Sequence, residues 1–260
     1  MQRREALLSL AGSTLSLTQS NPGATSTVYL DLTTWRFHNS NERQAPRVAD
    51  YLQNGLQPAL SRAGARLAGA FSNLIGGEGP YYITLSEFSS LGAMETVISK
   101  LETDEELQHE MQKLDRGPGL PFVRVESSLL RTFGMAPEKS ASNNGENAPR
   151  RIFELRRYES QTFNTLRRKI SMFTGGEMQI FQRLGMRPVF FGATIVGPKQ
   201  PNLMYMLSYD DLAARERLWR TFGSDPEWKK ISAPPEMSDA EIVSNISNVI
   251  LQPLTFSAIR

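Results

Sequence analysis

Cysteine is absent from the 260-residue chain, which excludes disulfides, thiolate nucleophiles and zinc sites built on cysteine. An excess of one charge is also lacking, because 29 Lys and Arg residues face 27 Asp and Glu residues and leave a formal net charge of +2. So small a charge gives no argument for a nucleic-acid partner or an anionic membrane. No apolar run reaches the ~20 residues of a membrane-spanning helix. The sequence therefore predicts a globular protein without a stable membrane span.

The short motifs of several large enzyme classes are missing as well. There is no P-loop, no Gly-x-Gly-x-x-Gly, no Gly-x-Ser-x-Gly and no His-Glu-x-x-His. His38 and His109 are the only histidines, and neither has a second ligand at metal-binding spacing. Nucleotide-binding, serine-hydrolase and zinc-protease functions therefore lose support. The sequence predicts no metal site and requires no cofactor, so the identity of any cofactor is left unknown.

The N-terminal segment differs from the rest of the chain. Arg3 and Arg4 precede a short, mildly apolar run that extends to Leu17. A pair of arginines before such a run resembles a twin-arginine export signal, although no clean Ala-x-Ala cleavage site follows before Val28. We interpret residues 1–26 as an export signal or a disordered leader. The first interpretation predicts an extracytoplasmic protein, periplasmic or secreted after leader removal, and the second a cytoplasmic one.

An internal repeat organises the remaining chain. Residues 134–149 are rich in Gly, Ala, Ser, Asn and Pro, a composition typical of a flexible linker between a first domain at 27–133 and a second at 150–260. With 40% hydrophobic residues, each half has enough apolar side chains for a core. A single ungapped shift of 121 positions aligns the halves. The matched pairs include Gly64 with Gly185, Gly76 with Gly197, Leu91 with Leu212 and Asp104 with Asp225.

Each copy has the pattern strand, helix, strand, strand, helix, strand. In the second copy, residues 151–158 alternate as a strand, and residues 163–184 show helical spacing interrupted at Gly175 and Gly176. Two apolar segments at 189–196 and 203–209 predict a hairpin, and a second helix is expected at 212–222, followed by a helix start with Asp225 as N-cap. Residues 242–254 alternate like a strand, with a helix capped at Ser238 as the competing interpretation.

This order of elements predicts the fold class. A βαββαβ unit forms a four-stranded antiparallel sheet with both helices on one face, and its other face must be covered. Two copies in one chain can cover each other. We therefore expect an α+β protein in which two ferredoxin-like βαββαβ units pack sheet to sheet as an intrachain pseudo-dimeric α/β barrel with a central cleft.

Several segments of the second half resemble the NIPSNAP family: the strand at 153–158, Gly185 after the first helix, the block at 225–228 and the closing segment at 251–257. The first half shares the resemblance mainly through the repeat, and it has Thr33 where the second half has Arg156. The resemblance implies a dimeric α/β-barrel fold, known also from small monooxygenases and haem-handling proteins. It also implies a family whose bacterial members mostly lack an assigned reaction. A site role of Arg156 therefore does not transfer to the first half.

The leading candidate site lies on the strand at 153–158. Glu154, Arg156 and Tyr158 share one face of it, and we expect Phe153 and Leu155 on the opposite face to pack against the helices. The polar trio then points into the cleft, where Arg156 would bind a ligand carboxylate or phosphate and Tyr158 would donate a hydrogen bond to a carbonyl or enolate. The alternative is that Glu154 and Arg156 form an internal ion pair.

Other residues complete the candidate ligand-binding set. Asp31 and Trp35 occupy the matching strand of the first half, Tyr205 is a core or cleft-wall aromatic, and His38 follows the first strand at a position that could hold haem or shuttle a proton. His109 is expected on a solvated helix face. The same interpretation is given to the basic residues Arg167, Arg168, Lys169, Arg215, Arg217 and Arg220, which therefore predict no nucleic-acid patch.

Two functions remain open from the sequence. The first is a small-molecule binding protein or enzyme with its site in the cleft, such as one for cofactor-independent oxygenation or isomerisation of an oxo compound. The second is a non-catalytic interaction module that uses the barrel as a scaffold. A cleft lined by the polar trio would favour the first, and a cleft filled by Phe, Trp and Met the second. The sequence leaves the ligand and a homo-oligomer undetermined.

Overall fold

The computed structural model describes residues 27–138 and 151–260, in which antiparallel strands form a closed barrel with helices packed outside it. The predicted leader at 1–26, and the predicted linker from residue 139 onward, lie outside the described residues. Within the two described ranges, none of the helices combines the length and apolar composition that crossing a bilayer requires.

The first half follows the predicted order of elements, with its helical segments subdivided. Strand β1 (Tyr29–Arg36) leads into α1 (Gln44–Asp50), a π-helical segment (Tyr51–Leu56) and α2 (Gln57–Ala63). The half then contains β2 (Arg66–Ile75), β3 (Tyr81–Phe88), α3 (Leu91–Glu102), α4 (Glu105–Asp115) and β4 (Arg124–Thr132).

The second half repeats this order. It contains β5 (Ile152–Glu159), α5 (Phe163–Met172), a π-helical segment (Phe173–Glu177), α6 (Met178–Arg183), β6 (Arg187–Val196) and β7 (Asn202–Tyr209). Helices α7 (Leu212–Ser224) and α8 (Pro226–Ser232), a 3₁₀ turn (Pro235–Met237), α9 (Asp239–Ile242) and β8 (Asn245–Pro253) follow. The predicted cap is confirmed, because Asp225 Oδ1 accepts hydrogen bonds from the backbone N–H groups of Glu227 and Trp228. Both interpretations of the C-terminal segment hold in part, since a short helix precedes the final strand.

The strands close into one ring in the order β4-β1-β3-β2-β8-β5-β7-β6, with β6 pairing back onto β4. Each half contributes four consecutive strands of this ring. The halves meet at two antiparallel junctions, where Phe71 of β2 lies opposite Pro253 of β8 and Leu130 of β4 lies opposite Thr194 of β6. The four strands of each half are therefore hydrogen-bonded edge to edge into one closed barrel, which differs from the expected pair of separate sheets packed face to face.

The interior of the barrel is an apolar core contributed by both halves. Leu30 and Leu32 of β1 meet Phe153 and Leu155 of β5 in it, and the Phe71 and Phe153 rings lie 5.1 Å apart between centroids. The same cluster includes Leu85, Leu130, Phe190, Met204, Met206 and Leu251. The central cleft that we expected is therefore absent along these strands, because apolar side chains fill the space.

The orientation predicted for β5 is wrong. Phe153 and Leu155 face the barrel interior, whereas Tyr158 packs in the layer between sheet and helices and Glu154 bonds to side chains of α7. The physical reason is that strands enclose the interior on all sides. A charged side chain placed there would have neither water nor a polar partner. The helix-facing side offers polar side chains from the helices and access to solvent at its edges.

Residues 134–138, assigned from sequence to the linker, run along β6 in the structure. The backbone N–H of Phe133 donates to the carbonyl of Phe191 at 3.0 Å, and the N–H of Phe191 donates to the carbonyl of Met135 at 3.3 Å. Ala136 packs against the barrel core. The hydrogen-bonded edge of the first half thus continues beyond β4.

The helix break after α5 generates a prediction with a matched control. Gly176 has φ of 153°, and an added Cβ would lie 2.7 Å from Ile231 Cδ1, whereas nothing lies within 4 Å of a Cβ at Gly175. Gly176→Ala should lower the unfolding free energy by about 1–3 kcal/mol because of backbone strain and this contact. Gly175→Ala should be neutral or stabilising. Urea unfolding of both variants measures this, and equal stabilities would contradict it.

Candidate functional site

Three neighbouring strands and the helices above them assemble a polar network on the outside of the barrel. On β5, the two-residue spacing places Glu154, Arg156 and Tyr158 on the helix-facing side. Strand pairing sets Arg156 opposite Tyr205 of β7 and Asn248 of β8. Helix α7 adds Arg215 and Trp219, and the segment from α5 through the π-helical turn adds Lys169 and Glu177. We call these nine residues the Glu154 network.

Glu154 is the fully buried centre of this network. Its carboxylate accepts hydrogen bonds from Arg156 Nη1 at 2.8 Å, Arg215 Nη2 at 2.6 Å, Trp219 Nε1 at 2.9 Å and Asn248 Nδ2 at 2.7 Å. Burial alone would raise the pKa of Glu154, but the Arg215 hydrogen bonds and the Arg156 charge outweigh it and hold that pKa below its usual value. The ionised carboxylate therefore fixes the position of Arg156, and the predicted internal ion pair is present.

Arg156 keeps part of its donor capacity unused. Its Nη1 bonds Glu154, its Nη2 donates to the Tyr158 hydroxyl at 3.2 Å, and its guanidinium lies 4.5 Å from the centre of the Trp219 ring. Its Nε is buried and has no hydrogen-bond partner among the described residues. An unpaired buried donor costs about 1–3 kcal/mol. The geometry thus provides a cationic donor that an acceptor oxygen would satisfy.

Tyr158 and Tyr205 form a second donor pair beside Arg156. The Tyr205 hydroxyl donates to the Tyr158 hydroxyl at 2.9 Å, and burial raises the pKa of Tyr205 well above its usual value, so it remains a neutral phenol. Tyr158 oxygen accepts from both Tyr205 and Arg156. Its own O–H has no acceptor among the described residues and is available to a ligand.

Lys169 and Glu177 form a buried ion pair next to the tyrosines. Their charged atoms lie 3.2 Å apart, and Lys169 is also surrounded by the rings of Tyr158, Phe173 and Trp228 at 4.9–5.3 Å. Burial raises the pKa of Glu177 to about 7. The solvated-face prediction is therefore wrong for Lys169, and it is wrong for Arg215, which bonds Glu154.

The helical spacing of Lys169 and Arg215 in the sequence already indicated that they lie on the buried faces of their helices. Lys169 lies three positions after Leu166 and four before Phe173, on the same apolar stripe of α5. Arg215 lies four positions before Trp219, which also faces the sheet. A long cation in an apolar stripe needs a buried partner, and Glu177 and Glu154 supply it.

The first half keeps only a remnant of this arrangement. Asp31, which matches Glu154, accepts from Thr33 Oγ1 at 3.0 Å and from Ser127 Oγ. Trp35 Nε1 donates to Thr84 Oγ1 at 3.2 Å, where the second half has Tyr158 and Tyr205. Strands β3, β2 and β8 separate β1 from β5 on one side of the ring. The structure therefore does not bring Asp31 and Trp35 together with the Glu154 network.

The histidines lie outside both arrangements. The His38 side chain is 55% exposed and lies 3.6 Å from Glu42, which places it at the surface rather than in a haem pocket. His109 is 66% exposed on α4, and its predicted position on a solvated helix face is confirmed. In residues 27–138 and 151–260, no group of acidic and histidine side chains is arranged to hold a metal ion.

Comparison with known families identifies the half that carries the network. Residues 153–258 match the model of the NIPSNAP family. Over this segment the second half of the chain is similar to NIPSNAP domains. This match extends from β5 to beyond β8, so it includes every member of the Glu154 network. No curated protein matches the sequence.

Two solved structures share the fold over most of this chain. A candidate monooxygenase from Lactobacillus acidophilus is 12% identical with a TM-score of 0.55, covering 87% of this chain and 94% of that one. A second, from Fusobacterium nucleatum, is 10% identical with a TM-score of 0.56, covering 88% and 94%. An uncharacterized NIPSNAP-like domain protein from Burkholderia xenovorans is 24% identical over 41% of this chain and 88% of that one, with a TM-score of 0.37. For the two candidate monooxygenases, identities this low show the fold alone.

The difference between the halves predicts unequal effects of matched substitutions. Glu154→Gln should lower the unfolding free energy by about 3–5 kcal/mol, because it leaves two buried or half-buried arginines without a counter-charge. Asp31→Asn, on a half-buried residue with two hydroxyl partners, should cost about 1 kcal/mol or less. Chemical denaturation of both variants tests this. Equal losses would show that the network is not specific to the second half.

Glu177 predicts a pH dependence of stability. Because burial raises its pKa from 4.5 to about 7, the folded chain keeps a proton that the unfolded chain has released between these values. The stability from this proton is present below pH 4.5 and is lost as the pH rises through 7. At ~1.4 kcal/mol per pKa unit, the loss is up to about 3 kcal/mol.

The matched variant for this prediction is Glu177→Gln, which cannot titrate. Urea unfolding from pH 4.5 to 8 should show a falling free energy for the wild type and a flatter profile for Glu177→Gln. The comparison uses the slopes, because the variant also loses the ion pair with Lys169. Parallel profiles would contradict the assignment.

Proposed function

We propose that this protein binds, and converts, a small organic anion or oxo compound on the helix-facing side of its second half. The observation that carries the proposal is the pair of adjacent unused donors, the buried Nε–H of Arg156 and the O–H of Tyr158. A ligand carboxylate, carbonyl or enolate oxygen would satisfy both. The network of contacts around them, centred on Glu154, keeps both groups in place before any ligand arrives.

The network also has a side that is open to solvent. The Arg156 side chain is 12% exposed, and Asn248, which bonds Glu154, is an exposed residue of β8. Ile246, opposite Tyr158 on the same strand, is 42% exposed. Arg156 Nε and Tyr158 are themselves buried, so a ligand would have to approach them from the β8 side, where Ile246 and Asn248 are exposed.

The chemistry of these groups suits an oxo compound. A guanidinium and a neutral phenol beside one oxygen stabilise negative charge that develops on a carbonyl during isomerisation or oxygenation. The two similar structures of candidate monooxygenases support this direction through their shared fold. Export through a twin-arginine signal remains part of the proposal and rests on Arg3 and Arg4.

The second candidate function is a non-catalytic interaction module. It is favoured by the barrel interior, which is filled by side chains such as Phe71, Phe153, Phe190 and Met206 rather than lined by polar groups. In that case the Glu154 network would serve stability alone. Assembly into a homo-oligomer is compatible with either function.

Ligand extraction separates the two functions. Native mass spectrometry of protein purified from its own host should detect a co-purifying small molecule on the wild type. Arg156→Met should reduce its occupancy about 10- to 100-fold, because a hydrogen bond to a charged group contributes about 1.5–3 kcal/mol. Tyr158→Phe tests the second donor without removing charge, and Arg217→Met on the exposed face of α7 is the control.

The occupancy of the co-purifying molecule is compared only among proteins whose melting temperatures show that they are folded. Loss of the molecule in the Arg156 or Tyr158 variant, with retention in the Arg217 variant, supports the proposal. A folded Arg156→Met or Tyr158→Phe protein that retains full occupancy would overturn it. A wild type that carries no molecule would favour the interaction module.

A further inference from the structure

A cavity of about 580 Å³ opens at the end of the barrel where β5 and β6 begin and β7 ends. Its wall includes Phe153, which faces the barrel interior, and therefore the opposite side of β5 from Arg156. The cavity is thus separate from the Glu154 network. Its volume lies in the range of small-molecule sites, roughly 300–1,000 Å³.

The floor of this cavity is apolar. Phe153 belongs to the barrel core, and Val189 and Ile259 pack against that core from β6 and from the segment after β8. Met186 and Pro188 add to the apolar wall. A ligand bound here would bury an apolar body of several carbon atoms, each buried CH₂ contributing about 0.8 kcal/mol.

The segment after β8 is held across the mouth by side-chain hydrogen bonds. The backbone N–H of Ala70 donates to Ser257 Oγ at 3.0 Å, and Ser257 Oγ donates to the carbonyl of Ile259 at 2.8 Å. These contacts position Ala258 and Ile259 as one wall of the cavity. The cavity is therefore built by ordered elements from both halves of the chain.

Three arginines form the rim of the cavity. Arg187 is paired with Asp210 at 2.7 Å, and Arg260 donates to the backbone carbonyl of Ser257 at 3.0 Å. The Arg151 side chain makes no hydrogen bond or ion pair within the described residues, although its charge helps to lower the pKa of Asp210. Glu138 is the acidic residue of the lining. The rim thus carries excess positive charge, and Arg151 is the group left to receive an anion.

We propose that this cavity binds an amphipathic monocarboxylate, with its apolar body on the Phe153 floor and its carboxylate on Arg151. The apolar floor disfavours a phosphate or another fully polar anion, which would lose its hydration there. The Arg151 guanidinium, which has no hydrogen bond among the described residues, disfavours a neutral lipid, because a carboxylate accepts two parallel hydrogen bonds from an arginine. The site does not depend on the function proposed for Arg156.

Decanoate and decanol, titrated calorimetrically into the full chain, test the two parts of this ligand. The wild type should bind decanoate at least tenfold more tightly than decanol. Arg151→Gln should weaken decanoate binding at least tenfold and leave decanol binding unchanged. The charge-matched control is Arg167→Gln on α5, whose side chain bonds only Asn164 in the described part of the chain and does not line the cavity.

A second variant tests the location without changing charge. Ala258→Trp places a large side chain in the cavity from the segment after β8, away from the strands, and should abolish binding of both compounds. Absence of decanoate binding in the wild type would overturn the proposal. So would unchanged binding in Arg151→Gln or in a folded Ala258→Trp protein. Because Arg156 variants play no part here, each proposal can fail alone.

Discussion

Hydrogen bonding of β2 to β8 and of β4 to β6 joins the two sheets into one ring, and the placement of polar side chains depends on this closure. Two sheets that only faced each other would leave open edges, and water could reach residues between them. The closed ring excludes water from its middle. Apolar side chains such as Leu30, Leu155 and Met206 therefore fill the interior, and charged residues on the same strands turn outward.

The outward position gives Glu154 a set of partners that the interior could not provide. Arg215 and Trp219 come from a helix, Asn248 from the neighbouring strand, and Arg156 from the same strand. A buried carboxylate with this many donors remains ionised and holds Arg156 in one orientation. Satisfying the charge of Glu154 thus leaves Arg156 Nε and the Tyr158 hydroxyl as donors of the network without an acceptor among the described residues.

Much of the fold could be predicted from the sequence because its signals are local or periodic. The repeat set the order of elements, and the interruption at Gly175 and Gly176 marked the break after α5, where Gly176 adopts φ of 153°. Alternation on β5 separated Phe153 and Leu155 from the polar trio. It could not say which face lies inside, because a helix layer and a second sheet both offer an apolar surface.

The two halves also show how duplication relaxes a constraint. In the first half, Asp31 keeps a neighbour from the fourth strand, since Ser127 stands where the second half has Asn248. The cations are gone, because Thr33 occupies the position of Arg156 on the equivalent strand β1, and Met94 replaces Arg215 under the shift of 121 positions. A buried cation is stable only beside its counter-charge. Arg156 and Arg215 must therefore be kept or lost together with the Glu154 carboxylate, which accepts their hydrogen bonds. The first half can do without them because its strands still close the barrel, and closure requires only the apolar interior face.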